Sequence, residues 1–304
     1  MPRGAFVRRK ARFRDRVTAD GASGYRAEPG RYHLYVSLAC PWAHRTLIVR
    51  ELKGLQDAIG VSIVDPVRDG RGWAFRDAPG TTGDRLHGWS YLSEAYAASE
   101  PGYDGRISVP VLWDTVTGGI VNNESADIVV MLNGEFDEFA ARPEVDLYPA
   151  ELRDEIDALN ELVYDTVNDG VYRAGFAGSQ EAYDAAVGPL FETLDALEER
   201  LATRRFLFGG RQTLADWRLF TTLVRFDAVY HGHFKCNLRR IADLPNLSAY
   251  VRDLYATPGV AATVDIDQVK RHYYLTHERL NPSGIVPAGP ILDFDAPHGR
   301  DALG

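Results

Sequence analysis

One stretch limits the fold more than any other, Arg31 to Val67. "RYHLYVSLA" (Arg31 to Ala39) alternates and carries Tyr, Leu and Val, which is a strand pattern. Pro41 then opens a helix, where its missing N–H is harmless. Leu47, Ile48, Glu51 and Leu55 come next at helical spacing, and Gly54 lies near the stop. "VSIVDPV" (Val61 to Val67) reads as a second strand. Strand, helix and strand in that order make a βαβ unit, so the chain begins as an α/β domain.

Beyond Val67 the pattern changes character twice. Residues Arg68 to Tyr103 show no period and carry Trp73, Phe75, Trp89, Tyr91 and Tyr96. They read as a long irregular insert, and loops of that length are often functional. "VPVLWD" (Val109 to Asp114) and "GIVNN" are two more strands around a Thr117-Gly118-Gly119 turn, and "ESADIVVMLN" is a helix. From Pro149 on the pattern is helical. One helix is expected over Glu151 to Asp169. Another is expected over Gln180 to Leu201, with Leu190, Leu194, Leu197 and Leu201 on one face. "TLADW" (Thr213 to Trp217) has the form of a capping box. "PNLSAYVRDLYATPGV" and "DIDQVKRHYYLTH" close the set, and the Pro- and Gly-rich tail is extended.

Composition removes several function classes. The formal net charge of -9 argues against general affinity for nucleic acid. No apolar run is long enough to span a membrane, and no apolar secretory leader is visible. The first sixteen residues are basic: Arg3, Arg8, Arg9, Lys10, Arg12, Arg14 and Arg16 against Asp15. They read as a solvated arm lying on an acidic body. Two cysteines, Cys40 and Cys236, make no disulfide framework and fit a reducing compartment.

Cys40 stands where the first helix begins. Orphan backbone N–H groups and the helix dipole favour an anion there, and the thiolate is the nucleophilic form of cysteine. His44 and Arg45, one turn on, would add positive potential. In "CPWA" the residue three beyond Cys40 is Ala43, so no second thiol resolves a mixed disulfide. A thiol from solution must do so. Ahead of the third strand, Val109-Pro110 is a candidate cis bond beside which a peptide-like ligand pairs with the Val109 backbone. In "NNES", Glu124 suits an ammonium, and Ser125 with the helix amides suits a carboxylate. A γ-glutamyl group carries both charges. "HGHFKC" sets His231, His233 and Cys236 at metal-like spacing without a clear fourth ligand, so a packed helix end is expected and no metal.

The set "CPWAHR", "GRISVPVLWD", "GGIVNNESADIVVMLN", "NDGVYRAGFA", "TLADWRLF", "HFKCN" and "HYYLTHERLNPSGIVPAGP" resembles, in order and over nearly the whole chain, the xi-class glutathione transferases, the glutathionyl-hydroquinone reductases. The resemblance implies α/β plus all-α: a thioredoxin-like N-terminal domain followed by a helical glutathione-transferase C-terminal domain. The corresponding divisions are an N-terminal extension (1–30), the thiol-binding domain (31–135, with the insert 68–103), the helical domain (145–280) and an extended tail (281–304). It implies a cytoplasmic homodimer with no tightly bound cofactor and glutathione as co-substrate. It implies that Cys40 is the catalytic thiol and that Trp73, Arg106, Val109, Glu124 and Ser125 hold glutathione. Tyr172 and Tyr273 then match tyrosines that line the hydroquinone pocket. Arg173 departs from the Lys of many members and keeps the charge. A broader thiol transferase acting on mixed disulfides or dehydroascorbate is the alternative. The scarcity of Lys beside many Ala, Gly and Asp hints at a GC-rich genome; if the host is an actinobacterium, mycothiol is the alternative thiol, but Trp73, Glu124 and Ser125 are expected still to favour a γ-glutamyl group.

Overall fold

The computed structural model describes residues 3–303; residues 1, 2 and 304, the outer ends of the expected extension and tail, lie outside it. The chain divides into two compact units. A sheet unit holds Arg9–Asp146 and Ala262–Glu278, and a helical unit holds the chain up to Arg8, Leu147–Ala261 and the chain from Arg279 on. The expected succession of an α/β domain and a helical domain is therefore present.

In the sheet unit, two short strands, β1 (Val17–Thr18) and β2 (Tyr25–Arg26), pair with each other. The main sheet has β3 (Tyr32–Val36), β4 (Ile59–Ile63), β5 (Val111–Asp114) and β6 (Gly119–Asn122) in the order β4-β3-β5-β6. β3 pairs with β4 in parallel, Tyr32 opposite Ile59, and with β5 in antiparallel, Tyr32 opposite Asp114. The parallel pair requires a crossover, and α1 (Pro41–Lys53) supplies it. Pro41 is its first residue, and Gly54 ends it in the left-handed region at φ 66° with its N–H on the Arg50 and Glu51 carbonyls. A Cβ there would also sit 2.7 Å from the Ala141 side chain, so only glycine fits.

The insert is more ordered than its sequence suggests. It contains a helix the sequence reading missed, α2 (Ser93–Ser99). Around residues 84–89 it is organised by one carboxylate. Asp84 accepts backbone N–H bonds from Leu86, His87 and Trp89, each at 3.0 Å, and a hydrogen bond from the Tyr35 hydroxyl at 3.2 Å. The insert's rings, Phe75 and Trp89, then pack on Tyr35 of the sheet at 5.6 and 6.3 Å. An aperiodic segment becomes fixed because its backbone donors are satisfied and its aromatic area is buried.

After β6 comes α3 (Ser125–Gly134), and the basic arm runs alongside. Phe13 and Asn123 exchange hydrogen bonds, and Arg14 bridges to Asn122 in antiparallel fashion. Arg12 pairs with Glu100 at 2.6 Å and Arg14 with Asp127. The arm thus lies on acidic groups, as expected.

The helical unit contains α4 (Arg153–Val163), α5 (Gly170–Gly175), α6 (Gln180–Arg200), α7 (Leu214–Arg225) and α8 (Pro245–Tyr255). The single helix expected over Glu151 to Asp169 is interrupted. A π turn occupies Tyr164–Asn168, closed by Asp169 N–H on the Tyr164 carbonyl at 2.8 Å. Of the four expected leucines, three lie on α6 and Leu201 caps its end, and all are buried. The capping box is present: Asp216 accepts from Thr213 N–H at 2.7 Å, and also from the Tyr250 hydroxyl at 2.8 Å.

The last helix, α9 (Ile266–Thr276), falls in the sheet unit. The reading of 145–280 as one helical domain does not hold for it. Among the described residues no helix is long and apolar enough to cross a membrane.

Candidate active site

Cys40 is the N-cap of α1 and is 9% exposed. Its own N–H is bonded to the Ser37 carbonyl at 3.1 Å, and its carbonyl accepts the His44 N–H at 3.0 Å. Its Sγ lies 3.7 Å from the Val109 carbonyl oxygen. His44 is buried, and its Nε2 is 2.7 Å from the Thr263 hydroxyl. Arg45 stacks its guanidinium on the Trp42 ring at 4.4 Å.

Val109 is followed by a cis peptide bond to Pro110. Tyr96, from the insert helix, fixes this loop. Its buried hydroxyl donates to the Ser108 carbonyl at 2.8 Å and accepts from Ser108 N–H at 3.2 Å. It also accepts from Asn123 Nδ2 at 3.0 Å. Burial raises the Tyr96 phenol above its ordinary range, so it stays neutral and keeps the proton it donates. The same network therefore ties the Val109 loop to Asn123 and so to Glu124 and Ser125. Glu124 caps α3, accepting from Ala126 N–H at 3.2 Å. Ser125 is 2% exposed, and its hydroxyl meets no partner among the described residues.

Trp73 is 4% exposed and stacks on His272 of α9, centroids 5.1 Å apart and planes 14° off parallel. The Arg68 guanidinium lies 5.2 Å from the indole centroid. His272 Nδ1 donates to the Pro66 carbonyl at 2.6 Å, which sets the ring's orientation. Tyr273 is buried and packs edge-on against His272 and His277, at 5.2 and 5.5 Å. Arg106 is exposed, and its carbonyl accepts from the Tyr103 hydroxyl at 3.1 Å.

Within the sheet unit, then, Cys40 meets Val109, Val109 connects to Glu124 and Ser125, and Trp73 connects to Tyr273. Tyr172 belongs to the helical unit. It sits on α5 among Phe176, Tyr230 and Phe234, with centroids 5.4 to 6.3 Å away. Phe234 in turn lies flush against Gly175, where a Cβ would come within 2.2 Å of its ring. Arg173 pairs with Asp165 at 3.2 Å.

"HGHFKC" is a packed turn. Cys236 is fully buried, with Sγ 3.9 Å from the Val171 carbonyl, and burial pushes its thiol up. His233 is buried and held down to about 4 by that burial, with Lys235 adding to the effect. Sequence reasoning missed Tyr96, Asn123 and His272. Tyr96 had the weakest signal, one aromatic among many in an aperiodic stretch.

Two family models match the chain: Glutathione S-transferase, N-terminal domain, over residues 39–135, and Glutathione S-transferase, C-terminal domain, over 180–253. The glutathionyl-hydroquinone reductase YqjG of Escherichia coli is 52% identical, over 98% of this chain and 93% of its own. Its glutathione-bound structure superimposes with a TM-score of 0.93, over 95% of this chain and 96% of the other. The glutathionyl-hydroquinone reductase PcpF of Sphingobium chlorophenolicum is 53% identical, over 94% and 90%. A xi-class glutathione transferase from Natrialba magadii is 51% identical, with a TM-score of 0.94 over 100% and 93%.

Proposed function

The chain belongs to the xi class of glutathione transferases, with a thioredoxin-like N-terminal domain and a helical C-terminal domain, and we propose that it reduces glutathionyl-hydroquinones through Cys40. The observation that carries the reading is a lone thiol at a helix start, against the Val109 carbonyl, with Ala43 where a resolving cysteine would stand.

The Cys40 thiolate attacks the thioether sulfur of the conjugate. An S–S bond forms and the aryl C–S bond breaks. Carbon leaves poorly as a carbanion, so the conjugate reacts as its keto tautomer and the electron pair enters the ring as an enolate. Protonation returns the hydroquinone. Tyr172 and Tyr273 donate hydrogen bonds to the ring oxygens as charge grows there. Cys40 is left as a mixed disulfide with glutathione. A second glutathione thiolate attacks the glutathionyl sulfur, releasing glutathione disulfide and the Cys40 thiolate. Ser125 and the α3 amides hold the γ-glutamyl carboxylate, Glu124 its ammonium, and Val109 pairs with the peptide backbone. Trp73 and Arg106 complete the thiol site. The enzyme acts as a homodimer.

The test is turnover of a glutathionyl-hydroquinone by wild type and Cys40→Ala, with glutathione or mycothiol as reductant. Wild type is expected to turn over with glutathione and to carry one glutathione adduct by intact mass. Cys40→Ala is expected to lose at least about a thousandfold in kcat/KM. Unchanged activity in the variant overturns the reading.

A further inference from the structure

The basic arm has a part that the proposed chemistry leaves unused. Its first described residues run along α5. Gly178 N–H donates to the Gly4 carbonyl at 2.9 Å, and the Ser179 hydroxyl donates to the Arg3 carbonyl at 2.8 Å. Phe6 packs on Phe176 at 5.4 Å. Arg8 comes next, only 14% exposed at its side chain. Its Nε donates to Asp169 Oδ1 at 2.5 Å, and its guanidinium carbon lies 4.7 Å from the centroid of the Tyr172 ring.

This is a clamp with three members. Asp169 sits three residues before Tyr172, and its carbonyl accepts the Tyr172 N–H at 3.0 Å. Asp169 thus fixes the start of α5 by its backbone and fixes Arg8 by its carboxylate. Arg8 in turn presents a flat cation to the ring face, while Phe234 and Tyr230 pack against the ring as well. The contact anchors the arm, and it also acts on the ring it covers. A cation over a phenol ring draws electron density from it, which strengthens the hydroxyl as a hydrogen-bond donor. The paired carboxylate holds the cation in place.

Resting on the reading of Tyr172 as a donor to the hydroquinone, we propose that Arg8 of the N-terminal arm is a positioning residue for Tyr172, specific to the aryl half of the reaction. The arm is then part of the enzyme's selectivity for aryl thioethers. It has no role in the chemistry of Cys40 with glutathione.

The test compares two substrates on the full-length chain. One is a glutathionyl-hydroquinone. The other is a small mixed disulfide of glutathione, which uses Cys40 and has no aryl group to place. Wild type, Arg8→Met and Arg8→Lys are measured on both, with the melting temperature of each. Arg8→Met is expected to lose about tenfold in kcat/KM on the aryl thioether, with little change on the mixed disulfide. Arg8→Lys, which restores the charge but not the flat face, is expected to recover part of the loss. A parallel fall on both substrates, or no fall on either, overturns the proposal. So does full activity in Arg8→Met on the aryl thioether alone. If wild type itself turns over only the mixed disulfide, it is the hydroquinone reading that fails, and the proposal falls with its premise.

Discussion

Both cysteines are free and both count as buried, yet they sit at different places in the fold. Cys40 caps a helix of thirteen residues, and its Sγ lies 3.7 Å from the Val109 carbonyl oxygen. Cys236 sits in a turn after Phe234, enclosed by carbonyls of Val171 and Phe234. Each sulfur faces a carbonyl oxygen, Val109 at 3.7 Å for Cys40 and Phe234 at 3.8 Å for Cys236, and what sets Cys40 apart is its place at the start of a helix. Burial and a nearby carbonyl are common to both cysteines; a place at a helix start belongs to Cys40 alone.

The largest expected effect is in labelling. Iodoacetamide should modify native protein at Cys40 at least about a hundredfold faster than at Cys236, and at both in denaturant. Mass mapping after timed quenching checks this, and comparable rates would dissolve the contrast.

Acid should act next. His233 binds its proton in the native state only near pH 4, but at about 6.5 in the unfolded chain. Stability that is whole above the unfolded value is lost as pH falls from about 6.5 to 4. The loss is roughly 2 kcal/mol after allowance for solvent screening. His33, beside Ser62 in the sheet unit, is held down to about 4 in the same way. Urea titrations at several pH values should therefore show His233→Gln removing part of the acid sensitivity, not all of it.

Smaller still, Cys236→Ala should cost about 1 kcal/mol of stability and leave turnover within twofold of wild type. A turnover loss as large as that of Cys40→Ala would erase the distinction. The smallest effect is at Lys235, which holds φ 60° without being glycine. Lys235→Gly should raise stability by about 0.5–1 kcal/mol, read as a shift in the denaturation midpoint.

How much the sequence disclosed depends on the reach of its signals. The βαβ unit, the leucine face of α6 and the Thr213–Asp216 box are local patterns; the leucines and the box appear where expected, and the second strand, Ile59–Ile63, starts and ends ahead of the expected Val61 to Val67. Cys40 at a helix start was legible because Pro41 comes directly after it. The α2 helix was not, since seven residues amid aperiodic aromatics carry no period. The π turn at Tyr164–Asn168 was hidden because one extra residue in a turn leaves the surrounding helical pattern intact. The Tyr96–Asn123–Ser108 network and the stacking of His272 on Trp73 join distant segments, and no spacing rule connects them. Proximity along α1 suggested a charge from His44 for Cys40; the bond of its ring to Thr263 has no local signal.

The placement of α9 bears on how the protein comes into being. Neither unit is a continuous run of chain, and the sheet unit lacks Ala262–Glu278 until Leu147–Ala261 of the helical unit has been made. His272 and the Pro66 carbonyl it bonds are 206 positions apart. On the ribosome the strands and α1 emerge early, but Trp73 has no imidazole to rest on until the helical unit has been made in between. The sheet unit cannot be matured by itself, and a nascent chain arrested before α9 would leave the Trp73 ring without the imidazole it stacks on.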